Sequence, residues 1–237
     1  MSRLLWSRWI PRCWSRPCAP RQPPQRSLRP MLEQLESRLT PAVFNVGPGD
    51  VATLIADINT ANGNGQSNII NLSPSVYTLT AVNNFWYGPT GLPPIFSNLT
   101  IHGNGATIQR ASIPFDFRLF YVSGGLELPA GSLSMDNVTL KGGVAAGGES
   151  GGGGGGLGAG GAIFNQGTLN LTDVTLTNNE ALGGSSGLFG VGAGGGGMGS
   201  SADSISDGGG FVPGSNGADA TATAAGGGGG LGAMPVS

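Results

Sequence analysis

The sequence predicts an all-β fold, a right-handed parallel β-helix in which successive coils stack into a solenoid. Four alternating apolar residues recur after 36 residues: Leu133, Met135, Val138 and Leu140 return as Leu169, Leu171, Val174 and Leu176. All the remaining predicted strands are short and end at Gly, Asn, Asp or Pro, which is typical of β-coils. Burying four such side chains contributes about 6 to 12 kcal/mol, whereas ordering about 20 residues costs roughly 20 to 40 kcal/mol. One coil cannot fold alone, so the coils must stack.

A short helix is the first element that we predict in the folded part. Asp50 is a suitable N-cap, and residues 62–65 read N-G-N-G, which is a stop signal. The apolar residues between them fall on one stripe, namely Val51, Leu54, Ile55, Ile58 and Ala61. Because the first coil of a stack leaves apolar side chains and backbone groups uncovered, we expect this helix to cap it. The alternative is a helix packed on the side of any small domain.

Short strands are predicted after the helix, at 69–72, 76–80, 98–101, 106–108 and 117–122, with a turn at 102–105. In the repeat itself, the polar steps Asp136-Asn137 and Asp173 mark the corners of the coil. Asn98, Asn137 and Asn170 match the N-glycosylation acceptor, and we interpret them instead as matching corner residues that stack in a ladder.

Composition divides the chain into three parts: a leader at 1–42, a β-helix at 43–182 and a glycine-rich, low-complexity tail at 183–237. Residues 142–237 hold 35 of the 46 glycines. The tract at 151–156 resembles a flexible insertion at a coil corner, and we interpret the tail as flexible. The last coil is then left open, which predicts self-association through it or a chain that is a fragment of a longer protein.

Charge is distributed unevenly. Residues 1–38 carry eight arginines and two glutamates, whereas residues 39–237 carry three basic and eleven acidic residues. The folded part therefore lacks the clustered Lys and Arg that nucleic acid binding requires. Cys13 and Cys18, both in the leader, do not have the spacing of a metal or redox motif, and we expect neither a cofactor nor a transmembrane segment.

Residues 29–42, R-P-M-L-E-Q-L-E-S-R-L-T-P-A, look like the N-terminal leader of large exported proteins of planctomycete-type bacteria. Residues 43–182, with F-R-L-F at 117–120 and G-G-A-I-F-N at 160–165, resemble the right-handed parallel β-helix domains that follow that leader. Those domains are similar to pectin-lyase-like folds and to the repeats of chlamydial-type polymorphic outer-membrane proteins. The resemblance implies an extracellular or cell-envelope location, although no conventional signal peptide is visible.

An enzyme of this fold would need clustered carboxylates on neighbouring coils. The candidates are Asp116, Glu127, Asp136, Asp173 and Glu180. Asp136 and Asp173 could stack as neighbours, but corner residues that accept backbone hydrogen bonds explain both. His102 is the only histidine of the chain, and a lone exposed histidine in a turn is far more often a solvated turn residue than a ligand or a base. We therefore expect no catalytic residues and no metal ligands.

Three adjacent aromatic residues, Phe85, Trp86 and Tyr87, are the predicted ligand site, because aromatic rings in a long loop can stack on a sugar. Alternatively, two of the three cover the flank of the stack. The function that we expect is non-enzymatic: an exported surface or extracellular protein, structural or adhesin-like, with cell-surface polysaccharide or other envelope proteins as partners. The alternative is a degenerate or incomplete carbohydrate-active β-helix, similar to polysaccharide lyases or hydrolases.

Overall fold

A computed structural model of the chain describes residues 40–150, 154–185, 196–198 and 201. The described part is mostly β with one helix. In chain order, its elements are β1 (Ala42–Val46), α1 (Val51–Gly63), β2 (Ser67–Leu72), β3 (Val76–Leu79), β4 (Asn98–Arg110), β5 (Phe120–Val122), β6 (Ser132–Lys141), β7 (Val144–Ala146), β8 (Ile163–Asn165), β9 (Thr168–Thr172), β10 (Thr175–Thr177) and β11 (Glu180–Leu182).

The strands stack as a parallel β-solenoid, which confirms the predicted fold. The largest sheet joins β1, β2, β4, β6 and β10 in that order, with β3 beside β4 and β9 beside β6. Two small sheets pair β5 with β8 and β7 with β11. The repeat is in register, since Leu133 lies opposite Leu169 and Leu140 lies opposite Leu176. An offset of one coil therefore places like residues on top of each other.

The corners of the coils use residues that tolerate a left-handed backbone. Asn104, Asn137 and Asp173 have φ values of 51°, 47° and 52°, as expected for Asn and Asp in that region. The corner at 102–105 is confirmed, but the chain pairs on both sides of it, so the two predicted strands are the single strand β4 with a shift in register.

The predicted asparagine ladder is wrong. Asn98 lies opposite Ser67 and Ser132 on the outer face, whereas Asn170 lies opposite Ser134. Of the three asparagines, Asn137 has the left-handed conformation. The inward-facing apolar residues determine the register of the strands. The three Asn-x-Thr sequences do not recur at the spacing of that register, so their asparagines do not lie opposite each other.

Helix α1 begins at the predicted cap, since an Asp50 carboxylate oxygen accepts a 3.0 Å hydrogen bond from the Thr53 amide. Its stripe packs inward through Leu54, Ile58 and Ala61, all fully buried. The helix contacts β1, β2, β3 and β4. Strand β1, which precedes the helix, is an element that the sequence patterns did not predict. The sequence predicted a helix that precedes the first coil. Helix α1 is instead part of that coil, after β1, and covers its interior.

The interior is a column of apolar side chains that runs from coil to coil. Ile70, Ile101 and Met135 lie in register and are at most 2 % exposed, whereas Leu171, the next in the column, is 39 % exposed. Leu176 and Leu182, also in the last coil, are 53 % and 45 % exposed. Among the described residues, the last coil therefore leaves Leu171, Leu176 and Leu182 exposed, whereas Leu169 and Val174 are partly buried against the core.

Glycine-rich segments pack closely beside the solenoid. The amides of Gly148, Gly156 and Gly184 donate 2.8 Å hydrogen bonds to the carbonyl oxygens of Gly197, Gly148 and Gly156. A Cβ on Gly156 would overlap the carbonyl oxygen of Gly197, and one on Gly184 would overlap that of Gly148. Where the structure describes them, these segments are therefore packed layers rather than the flexible insertion suggested by composition.

The predicted leader at 1–42 lies outside the described residues, apart from residues 40–42. Of the predicted tail, the structure describes 183–185, 196–198 and 201.

Candidate functional site

The three predicted site residues lie at the tip of a hairpin-like loop between β3 and β4. Asn84 and Thr90 form an antiparallel bridge at its base. The Gly88 amide donates a 3.2 Å hydrogen bond to the Phe85 carbonyl oxygen and closes the tip. Tyr87 has a φ of 51°, a conformation that is uncommon for a bulky residue and that surrounding contacts must maintain.

The loop separates the three aromatic residues. Phe85 is 59 % exposed, Trp86 is partly buried, and Tyr87 is 1 % exposed. Two of the three therefore pack against the flank of the solenoid, and Phe85 alone presents its ring to solvent.

An aromatic cluster lies beneath the loop. Tyr121 and Phe164 are paired residues of β5 and β8, and their rings are stacked with centroids 6.0 Å apart. The ring of Tyr87 lies 5.3 Å from that of Tyr121 and 5.6 Å from that of Phe164. These tilted and stacked contacts stabilise the pairs beyond simple area burial. The cluster, Tyr87, Tyr121 and Phe164, therefore attaches the loop to two successive coils.

Arg118 anchors the loop from below. Its side chain is 1 % exposed, and its Nη1 donates a 2.5 Å hydrogen bond to the Tyr87 carbonyl oxygen. The guanidinium carbon lies 5.0 Å from the centre of the Phe164 ring, a cation-π arrangement. Its Nε has no hydrogen-bond partner, and none of the ion pairs among the described residues includes it.

A buried guanidinium without a carboxylate is unfavourable. Burial lowers the pKa of Arg118 to about 10, so the group is still charged at neutral pH. Its hydrogen bond to the Tyr87 carbonyl oxygen and the ring contacts of Tyr87 with Tyr121 and Phe164 are contacts that can maintain the left-handed conformation. The sequence signal for this group is the single arginine inside the apolar run F-R-L-F at 117–120.

Tyr121 gives the cluster an alkaline pH dependence. Burial raises its pKa to about 12, and its hydroxyl group hydrogen bonds to Gln166 over 3.0 Å. Between about pH 10 and 12 an unfolded phenol ionises while this one keeps its proton, so the stabilising contribution is complete below pH 10 and is lost as the pH approaches 12. Arg118 acts in the opposite direction, because its pKa is lower in the folded state.

We expect an absorbance titration of the folded protein to include the ionisation of Tyr121 near pH 12. Tyr121→Phe should reduce the change in absorbance in that pH range. If the change in absorbance near pH 12 is not reduced in Tyr121→Phe, the assignment to Tyr121 is wrong.

His102 and Asp136 form a second pair, on the outer face of the large sheet. The two residues lie in register on β4 and β6, with Nδ1 and Oδ2 2.5 Å apart and side chains 40 % and 39 % exposed. Asp173 is not beside Asp136, because Asp136 lies opposite Thr172. The stacking of the two aspartates that the sequence suggested is therefore wrong by one position.

The remaining candidate carboxylates do not assemble a site with this pair. Asp116 pairs instead with Arg110, 3.5 Å away. Within the described ranges, no three His, Cys, Asp or Glu side chains are grouped so that they could hold a metal ion. Among the same residues, no helix has the length and the hydropathy that crossing a membrane requires.

Comparison with protein-family models, with curated proteins and with solved structures found no match for the chain.

Proposed function

We propose that this chain is an exported, non-enzymatic surface or matrix protein that binds polysaccharide through the loop that carries Phe85. The observation that carries the proposal is the anchored loop itself: an exposed aromatic ring is presented at the tip of a loop whose next residues are packed and hydrogen-bonded to a buried arginine. Binding residues are often found on loops that a rigid scaffold positions. The left-handed conformation of Tyr87 and the burial of the Arg118 charge without a carboxylate both lower the stability of the fold. Packing alone therefore does not explain them.

The outer face of the large sheet supports the same class of ligand. Its side chains are small, polar and uncharged along one column, which is Ser67, Asn98, Ser132 and Thr168, and along the part of the next column that follows Ile69, which is Thr100, Ser134 and Asn170. Adjacent strands are about 4.8 Å apart, so hydroxyl and amide groups recur at a short, regular spacing. A face of this chemistry suits contact with a hydroxylated polymer better than contact with a polyanion.

Export is proposed from the resemblance of residues 29–42 to the leader of exported proteins. The expected location is the cell surface or the extracellular matrix.

The test is a binding assay of the full chain on a glycan array and on intact cell walls, with Phe85→Ala as the variant. We expect Phe85→Ala to weaken binding roughly tenfold, since loss of one stacked ring removes about 1 to 1.5 kcal/mol. The matched control is Phe115→Ala, which removes another exposed phenylalanine, 70 % exposed, from a different loop. Trp86→Ala is less suitable, because Trp86 is partly buried and its loss would disturb the cluster beneath.

If both phenylalanine variants weaken glycan binding equally, or if neither weakens it, the loop that carries Phe85 is not the binding site. Absence of binding by the unmodified chain would leave a purely structural role. The carbohydrate-active alternative is tested on the same preparations: formation of new unsaturated or reducing sugar ends by the full chain, abolished by His102→Ala, would replace the proposed function, because the His102–Asp136 pair is the group from which a base could come.

A further inference from the structure

An open cleft, here called the α1 cleft, lies between the end of α1 and the start of β4. Its volume is about 400 Å³, which is typical of a small-ligand site. None of the described residues that line it is charged, and no residue of the loop that carries Phe85 is among them. Its polar and aromatic lining consists of Asn62, Gln66, Ser67, Phe96, Ser97 and Asn98. The α1 cleft is therefore a neutral surface that is separate from the aromatic loop.

A single asparagine holds the two walls of the α1 cleft together. The Asn62 Nδ2 donates a 2.7 Å hydrogen bond to the Pro94 carbonyl oxygen. Its Oδ1 accepts hydrogen bonds from the Phe96 amide at 3.1 Å and from the Ser97 hydroxyl group at 3.2 Å. These bonds join the last turn of α1 to the segment that leads into β4. A ligand therefore meets a preformed site, and little ordering of the protein is needed on binding.

Hydrogen-bonding groups remain free in the α1 cleft. The backbone groups of Gln66 are bonded to the side chains of Asn64 and Asn68, whereas its carboxamide has no hydrogen-bond partner among the described residues. The Asn98 Nδ2 donates a 3.0 Å hydrogen bond to the Ser67 hydroxyl oxygen, and its Oδ1 has no partner in that part of the chain. A carboxamide is both a donor and an acceptor, as a sugar hydroxyl group is, so these free groups suit a hydroxylated ligand.

Electrostatics favour a neutral ligand in the α1 cleft. The carbonyl end of a helix carries a partial negative charge, and α1 ends beside the cleft with no basic residue in its last turn. Anionic groups are therefore disfavoured. A cationic ligand finds no carboxylate among the described lining residues. The partly buried ring of Phe96 adds an apolar surface on which the C–H face of a sugar can pack.

We propose that the α1 cleft binds one unit of a neutral polysaccharide, an inference that rests on the proposed function and specifies its ligand class. Ser67 and Asn98 line the cleft and also begin the column of small polar side chains that continues through Ser132 and Thr168. A polymer with one unit in the cleft can therefore extend along the outer face of the large sheet. The ring of Phe85 is then a separate contact with the same class of ligand.

The experiment is calorimetric titration of the full chain with soluble neutral oligohexoses and with oligouronates of matched length, and the variant is Gln66→Ala. We expect the oligohexoses to bind more tightly than the oligouronates. Gln66→Ala should weaken oligohexose binding about fivefold, which is the effect of one net hydrogen bond. Gln109→Ala is the matched control, because Gln109 is partly buried on β4 outside the cleft, with its carboxamide bonded to the Thr78 hydroxyl group at 3.0 Å. It should leave the affinity unchanged, and cooperative thermal unfolding establishes that both variants are folded.

The outcomes separate this inference from the proposed function. If Phe85→Ala weakens oligohexose binding and Gln66→Ala does not, the cleft is not a sugar site, whereas the proposed function stands. Equal weakening by Gln66→Ala and Gln109→Ala would also overturn the cleft. Oligouronates that bind as tightly as oligohexoses would overturn the neutral ligand class. If neither kind of oligosaccharide binds the unmodified chain, this inference and the proposed function are both wrong.

Discussion

Leu140→Ala is expected to lower the free energy of unfolding by about 3 to 4 kcal/mol, measured by urea denaturation. Leu140 is 0 % exposed and lies between the side chains of two neighbouring coils, opposite Ile108 and Leu176. Truncation removes buried apolar surface and leaves a cavity that the stacked backbone cannot close, because each coil is hydrogen-bonded to the next.

The matched control makes the same chemical change one coil later. Leu176→Ala should lower the free energy of unfolding by less than about 1 kcal/mol at low protein concentration, because Leu176 is 53 % exposed. Equal destabilisation by both variants in dilute solution would mean that the last coil is covered within one chain.

Gly131→Ala is expected to have the second large effect, a loss of about 4 kcal/mol or failure to fold. A Cβ at this position would overlap the carbonyl oxygen of Ile95 in the coil below. That segment cannot retreat, because the Ile95 amide and carbonyl groups are bonded to Tyr121 and Ser123 at 2.8 Å and 2.9 Å. Overlap between two fixed backbones belongs to the severe class of destabilising substitutions.

Gly63→Ala is the appropriate control for Gly131→Ala. Gly63 is the last residue of α1, and a Cβ there would meet no atom within 4 Å. Alanine is a better helix former than glycine, so the substitution should be neutral or stabilising by up to about 1 kcal/mol. Comparable destabilisation at both positions, in thermal or urea unfolding, would contradict the close approach at Gly131.

The sequence alone determined the fold class and the first helix. The repeat of apolar residues at 133–140 and 169–176 specifies which side chains face inward, and burial of those side chains fixes the register at 36 residues. Asp50 identified the helix start because its capping bond is local, three residues long. The corner residues Asn137 and Asp173 were likewise predictable, since a left-handed backbone favours those residue types.

Contacts between distant residues were decided only by the tertiary structure. The bond from Arg118 to the Tyr87 carbonyl spans 31 residues, and Tyr121 and Phe164 meet across two coils. No local pattern encodes which of Phe85, Trp86 and Tyr87 remains exposed. Similarly, composition describes the glycine-rich segments as linkers, whereas their packing depends on backbones that approach closely only where both lack side chains. Local sequence patterns therefore determine the backbone conformation that a residue favours, whereas the stacking of the coils determines which residues contact each other.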